Sequence, residues 1–277
     1  MNTSNKSYKE LAIPYFKQAF DIIDEIMIAQ MVPYYLIGAS AIALELLKNG
    51  VKPSRGTKDI DFAVMISSME EYETISECLQ KKGFNKVKAP WTFYAPQYDV
   101  VIDILPFGEV EEKDIEIFNK RYSDLHVLGF KEVLEESNEV RIEEKIANIP
   151  PLPGMVILKL VAWSDRPEER ENDLADILKI ICHYFDHNYD EIVEFHHDTF
   201  PEETFDEILI AAEVLGRKAK KYLLKSPPLN ERIISVMDQN LMKESESKIA
   251  IEWARIMDWE VGYTFSVLNA FEKGMNS

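Results

Sequence analysis

Cysteine is nearly absent from this chain of 277 residues: only Cys78 and Cys182 occur, far apart in sequence. Two such thiols build no disulfide framework, so packing alone must hold the core, and free thiols in a reducing compartment are expected. No run approaches the roughly 20 apolar residues of a membrane span. The opening residues, MNTSNKSYKELAIPYF, carry neither a long apolar core nor a small-residue cleavage site. A cytoplasmic protein without membrane contact is the expectation. Positive charge is also scarce. Lys+Arg total 31 against 49 Asp+Glu, a formal charge of −18. The deficit is 17 − 25 = −8 over residues 1–150 and 14 − 24 = −10 over 151–277, so it is no appended acidic tail. Extended duplex binding needs a basic face, and the charge balance speaks against it. A small cationic substrate, a protein, or a nucleic-acid end held by a local basic patch are all compatible. Both the six-residue glycine fingerprint of dinucleotide folds and the Walker loop are missing.

What is present is a globular composition, 46% hydrophobic and 11% aromatic, which excludes a disordered chain. At this length two lobes are expected. The apolar spacing from about Ser7 to Met31 predicts a helix, stopped by Pro33. Tyr34 to Ile37 reads as a strand that breaks at Gly38-Ala39-Ser40. Ser40 is placed to cap a helix over Ala41–Lys48, and Gly50 suits its C-terminal left-handed position. A basic loop, Lys52 to Lys58, then leads into a second strand, Asp59 to Ile66. Met69 to Lys82 is a helix closed by Gly83, and Tyr98 to Leu105 is a long third strand. The charged stretch Glu109–Asn148 predicts short strands and turns. Past the Pro/Gly-marked junction at 150, every segment is helical in pattern. Helices are predicted over Asn172–Phe185, Phe205–Lys225, Asn230–Met242 and Ser247–Phe271. The predicted plan is an α/β (α+β) N-terminal domain over 1–150 and an all-helical domain over 151–277.

Asp59 and Asp61 form the only Asp-x-Asp among the 17 aspartates. Residues two apart on a strand share a face, and two carboxylates so placed repel unless a cation lies between them. Mg²⁺ prefers such oxygen ligands, completed by water and phosphate. Taken alone, the pair reads more readily as the solvated face of a strand than as a site. Gly38-Ala39-Ser40, at a strand exit and a helix start, lets backbone amides approach a phosphate beside the positive end of the helix dipole. Close helix–strand packing is the competing reading. Asp103 follows Val100-Val101-Ile102, where a carboxylate among apolar neighbours needs a partner or a metal. Asp99 competes with it, four residues earlier on the same strand face. Three carboxylates on neighbouring strands suit two-metal phosphoryl or nucleotidyl transfer.

The combination Gly-Ala-Ser, Arg55-x-Thr57-Lys58-Asp59-x-Asp61 and a later strand aspartate resembles the polymerase-beta-like nucleotidyltransferase superfamily. The arginine and threonine before Asp-x-Asp are most similar to the AbiEii/AbiGii toxin family of nucleotidyltransferases. The matching helix stretch is Lys159-Leu-Val-Ala-Trp163-Ser-Asp165-Arg166, then Asp173-Leu-Ala-Asp176. The resemblance covers roughly residues 34–180. It departs at Ala39, at Asn172, and in the longer spacing from Arg166 to Asp173. It implies a nucleotidyltransferase-type mixed sheet flanked by helices. Asp59, Asp61 and Asp103 would be the catalytic carboxylates and Mg²⁺ ligands. Gly38, Ala39, Ser40, Arg55, Thr57, Lys58, Lys159 and Arg166 would bind the nucleotide, with the Lys159 helix reaching the active-site cleft. Asp173 and Asp176 would support the site. The implied reaction moves a nucleoside monophosphate from an NTP to an acceptor hydroxyl on an RNA end such as tRNA, or on a protein. In a toxin–antitoxin or abortive-infection setting, an antitoxin protein is the implied partner. The runner-up acceptor is a small cationic, aminoglycoside-type antibiotic. The non-catalytic alternative is a degenerate nucleotide-binding module. From the residues alone, Lys159 reads equally as one end of a salt bridge, and Asp173 with Asp176 as an ion network.

Weaker signals carry bland readings. His183 and His187 have the spacing of a zinc pair but no glutamate between them at the catalytic position. Arg217, Lys218, Lys220, Lys221 and Lys225 read as a solvated helix face. Trp253 and Trp259 fit core positions of the last helix.

Overall fold

A computed structural model describes residues 7–53, 59–87, 89–110, 127–201 and 204–277. The chain divides into two compact units, Met1–Pro151 and Leu152–Ser277. As expected, the first mixes helices with a five-stranded mixed sheet and the second is helical.

In the first unit the N-terminal helical stretch is broken. Ser7–Leu11 is a short 3-10 turn, and α1 begins only at Phe16 and runs to Gln30. Pro14 supplies no amide hydrogen for a continuous helix, and Ala12 and Tyr15 both take positive φ. The strands are β1 (Tyr34–Ile37), β2 (Asp59–Met65), β3 (Asn85–Lys86), β4 (Thr92–Ala95) and β5 (Val100–Phe107). Helices α2 (Gly38–Leu47) and α3 (Met69–Lys81) are interleaved. Sheet order is β1-β2-β5-β4-β3, with β2 and β5 parallel and the other pairs antiparallel. The Ser67-Ser68 start of α3 is a reciprocal cap. Ser68 Oγ accepts from the Glu71 amide, while Glu71 Oε2 accepts from the amide and hydroxyl of Ser67.

Strand alternation gives the sheet two unlike faces. Leu36, Ile60, Phe62, Phe93, Val100, Ile102 and Ile104 are all buried and fall on one face by register. Helix α1 covers it, with Phe20 stacked on Phe62 at 6.3 Å and tilted against Tyr34 at 6.4 Å between ring centroids. The opposite face carries Asp59, Asp61, Asp103 and Thr92, none of them buried. Its far end is closed by aromatics: Phe107 lies 6.1 Å from Tyr35 and 5.7 Å from Phe130, the latter on α4 (Phe130–Leu134). A hairpin, β6 (Asn138–Ile142) and β7 (Lys145–Ile149), packs beside β1.

The second unit consists of α5 (Leu152–Asp165), α6 (Glu171–His187), α7 (Tyr189–Phe195), α8 (Glu207–Lys225), α9 (Pro227–Leu241), α10 (Lys248–Met257) and α11 (Val261–Asn276). Pro227 is the first residue of α9, where a missing amide hydrogen costs nothing, and Ser226 caps it by accepting from the Leu229 amide. The expected last helix is two helices. Asp258 ends α10 in the left-handed region with φ 56°, and Trp259 lies outside both helices, ring-to-ring with Tyr263. Trp253 is core, and its Nε1 donates to the Leu174 carbonyl. The unit centres on α8 against α11, which cross where both are glycine. A Cβ at Gly216 would stand 2.1 Å from the Phe271 carbonyl oxygen, and one at Gly274 2.0 Å from that of Glu213. No described helix is long and apolar enough to cross a membrane.

Candidate functional site

The carboxylate face is built by register. Asp61 on β2 pairs with Asp103 on the parallel neighbour β5, so the two side chains project side by side. Adjacent strands lie about 4.8 Å apart. Asp59, two residues upstream on β2, takes the same face and is more exposed. On the other flank of β5, Thr92 of β4 pairs with Asp103. Its hydroxyl donates to Asp103 Oδ1 at 2.5 Å, which fixes the carboxylate. Asp99 is no competitor: it precedes β5 with φ 50°, and its Oδ1 accepts from the Tyr94 hydroxyl at 2.9 Å. A left-handed turn residue does not share the alternation of the strand that follows.

On the other side, β1 runs antiparallel to β2 and pairs Ile37 with Asp61. The next residue, Gly38, turns the chain into α2 with φ 67° and lies directly against Asp61. A Cβ built on it would fall 2.0 Å from Asp61 Oδ2. Glycine is thus required twice, for the left-handed backbone and for the space the carboxylate occupies. Ser40 does not cap α2 as expected, because the helix starts earlier. Ile37 is the N-cap, and its apolar side chain makes no capping hydrogen bond. Ser40 lies inside that first turn, fully buried, and its Oγ has no hydrogen-bond partner among the described residues. A buried orphan hydroxyl is costly unless something else fills its valences. Ala39 sits next to it, half-buried. Arg55, Thr57 and Lys58 lie outside the described residues.

Lys159, Arg166, Asp173 and Asp176 all belong to the second unit. Lys159 Nζ is held 2.5 Å from Asp173 Oδ1 and 2.8 Å from Asp176 Oδ2, with all three side chains largely buried. Burial alone would push the Lys159 pKa down, but the two carboxylates outweigh it and hold the ammonium above the ordinary lysine value. Arg170 approaches Asp173 at 3.5 Å, and Arg166 reaches Glu169 at the same distance. The neighbouring Asp165 is nearly buried and accepts from Arg232.

Two contacts were invisible in the sequence. Thr92 occurs in a short strand whose alternation with buried Phe93 marks its face, but nothing local pairs it with Asp103. Arg232 lies 67 residues from Asp165, and no spacing connects them. Among the described residues, no group of three His, Cys, Asp or Glu side chains is gathered tightly enough to enclose a metal. His183 is half-buried, with its pKa lowered by burial and by Lys179. In the basic cluster, Arg217 pairs with Glu213 and Asp198, and Lys218 with Glu191.

The first unit is therefore an α+β unit with paired carboxylates on the open face of a mixed sheet, bordered by the glycine turn into α2. No family model matches the chain, and no curated protein matches it. Among solved structures it is similar to the crystal structure of an antigenic nucleotidyltransferase-like protein from Paracoccidioides brasiliensis, with a TM-score of 0.41 and 14% identity. The match spans 82% of this chain and 93% of that one.

Proposed function

We propose that this chain is a nucleotidyltransferase that moves a nucleoside monophosphate from an NTP to a hydroxyl of an acceptor. The observation that carries the reading is the in-register pair Asp61–Asp103, placed beside the Gly38 turn into α2. Mg²⁺ is bound by one or two carboxylates plus substrate phosphates; the neighbouring Asp61 and Asp103 would be those carboxylates, with Asp59 on the same face further up β2. When bound, the ion supplies charge stabilisation to the phosphoryl group in transfer. The chain's own residues do the rest. First-turn amides of α2 and the Ser40 hydroxyl take phosphate oxygens, which gives that orphan group a partner. Gly38 keeps the phosphate approach open next to Asp61. Asp103, oriented by Thr92, accepts the proton from the acceptor hydroxyl as its oxygen bonds to the α-phosphorus. The bond from that phosphorus to pyrophosphate breaks, and pyrophosphate leaves with the electron pair.

The charge of −18 favours a protein hydroxyl or a small cationic acceptor of the aminoglycoside type over a large RNA. An RNA end, as in the toxin family resembled, is the third acceptor in the test. Purified protein is incubated with Mg²⁺, each α-³²P NTP in turn, and tRNA, cell protein or an aminoglycoside, beside Asp61→Asn. Label on one acceptor, absent with the variant, supports the reading and names the acceptor. No label on any acceptor, together with no detectable NTP binding, overturns it.

A further inference from the structure

The second unit presents apolar surface that its own packing does not consume. Tyr189 and Val193 stand one turn apart on α7, and Phe205 lies just ahead of α8. Tyr189 and Phe205 are each 54% exposed and Val193 40%. These rings are nonetheless packed against neighbouring aromatics. Both meet the buried Phe185 edge-on, at 5.8 and 5.7 Å between centroids, and Phe200 closes the cluster 5.7 Å from Phe205. Pre-ordered aromatic side chains facing solvent lose little entropy on binding and are the residues that anchor interfaces.

The electrostatics of the patch narrow its occupant. Asp190 and Glu194 form a second stripe on α7 beside the first, exposed and with no ion pair of their own among the described residues. Glu191 and Asp198, by contrast, are already neutralised by Lys218 and Arg217. From 186 to 207 the sequence has nine Asp and Glu and no Lys or Arg. Nucleic acid and anionic lipid would be repelled. A second copy of this chain would bring the same uncompensated carboxylates against each other. A protein segment with lysines or arginines beside apolar residues meets both requirements. Its apolar side chains would lie on Tyr189, Val193 and Phe205, and its cations would reach Asp190, Glu194 and the ring faces. We propose that this face docks a basic amphipathic segment of a partner protein. The proposal uses residues of the second unit alone and does not rest on the catalytic reading.

The test titrates the full chain with a fluorescein-labelled leucine–lysine peptide patterned for an amphipathic helix, read by anisotropy. A scrambled peptide of equal charge is the control. Saturable binding of the patterned peptide, weakened roughly tenfold or more by Phe205→Ser and also by Asp190→Asn/Glu194→Gln, is expected. The second variant changes only exposed carboxylates, so it keeps the test valid should Phe205→Ser misfold. Equal affinity for the scrambled peptide, or no change in the carboxylate variant, would mean diffuse attraction to an acidic protein and overturns the proposal. A dimer in light scattering that Tyr189→Ser disperses would assign the face to self-association and overturn it as well.

Discussion

Gly38 and Asp61 are in direct contact: the space a Gly38 side chain would fill is taken by Asp61 Oδ2, 2.0 Å from the nearest position a Cβ could occupy. Gly38→Ala must therefore displace the carboxylate and also hold an alanine at φ 67°. A cost of about 1–3 kcal/mol is expected in urea unfolding. Transfer activity should fall about a hundredfold or more, because small misplacements of reacting groups cost that much. A variant of near wild-type activity would separate Gly38 from the chemistry.

Thr92 is predicted to orient Asp103. Thr92→Val keeps the shape and removes the donor, so Asp103 gains freedom and kcat should drop about tenfold. Substrate KM and the unfolding midpoint should change little. Thr92→Ser should restore activity, since the hydroxyl is retained; if serine fails as badly as valine, packing and not the hydrogen bond is responsible.

Lys159 is the cation between Asp173 and Asp176. Its raised pKa means that the stabilisation it brings is complete below the ordinary lysine value and is lost only in strongly alkaline solution. Lys159→Met leaves two largely buried carboxylates facing each other and should destabilise the chain by about 3–5 kcal/mol at neutral pH. Adding Asp173→Asn and Asp176→Asn to the same variant should recover much of the loss. Calorimetric melts of the single and triple variants at neutral pH decide this.

The α8–α11 crossing tolerates no side chain at its centre. Gly216→Ala and Gly274→Ala each drive a methyl into a backbone carbonyl, and loss of at least about 1–3 kcal/mol is expected from overpacking. Helical circular dichroism during urea titration gives the answer; wild-type midpoints for both variants would contradict the close approach.

Burial pushes the Cys182 thiol up to about 11. At pH 8 native Cys182 should therefore react slowly with iodoacetamide, and at the ordinary thiol rate once unfolded. Because the folded protein holds the proton more tightly, the associated stability is complete below the usual thiol pKa and declines as pH rises past it. Mass spectrometry of alkylated peptides reads the protection. Rapid native labelling at Cys182 would argue against it.

The sequence by itself determined what local periodicity can carry. The period of two along DIDFAVM puts Asp59 and Asp61 on one face and Ile60 and Phe62 on the other. The apolar spacing after residue 150 specified helices, and glycine at 38 marked a turn that no other residue makes cheaply. Even local reading failed where a single backbone angle intervened, as at Tyr15, Asp99 and Asp258, whose left-handed conformations interrupt patterns that continue on either side. Tertiary structure alone decided which strands are neighbours. That Asp103 stands beside Asp61 follows from β5 running parallel to β2 in register, with Thr92 arriving from β4 on the far flank. That Lys159 finds Asp173 and Asp176 follows from the packing of α5 on α6. Side-chain alternation is a property of each residue's own dihedral angles, whereas register and partner choice arise from hydrogen bonds and burial between segments far apart in the chain.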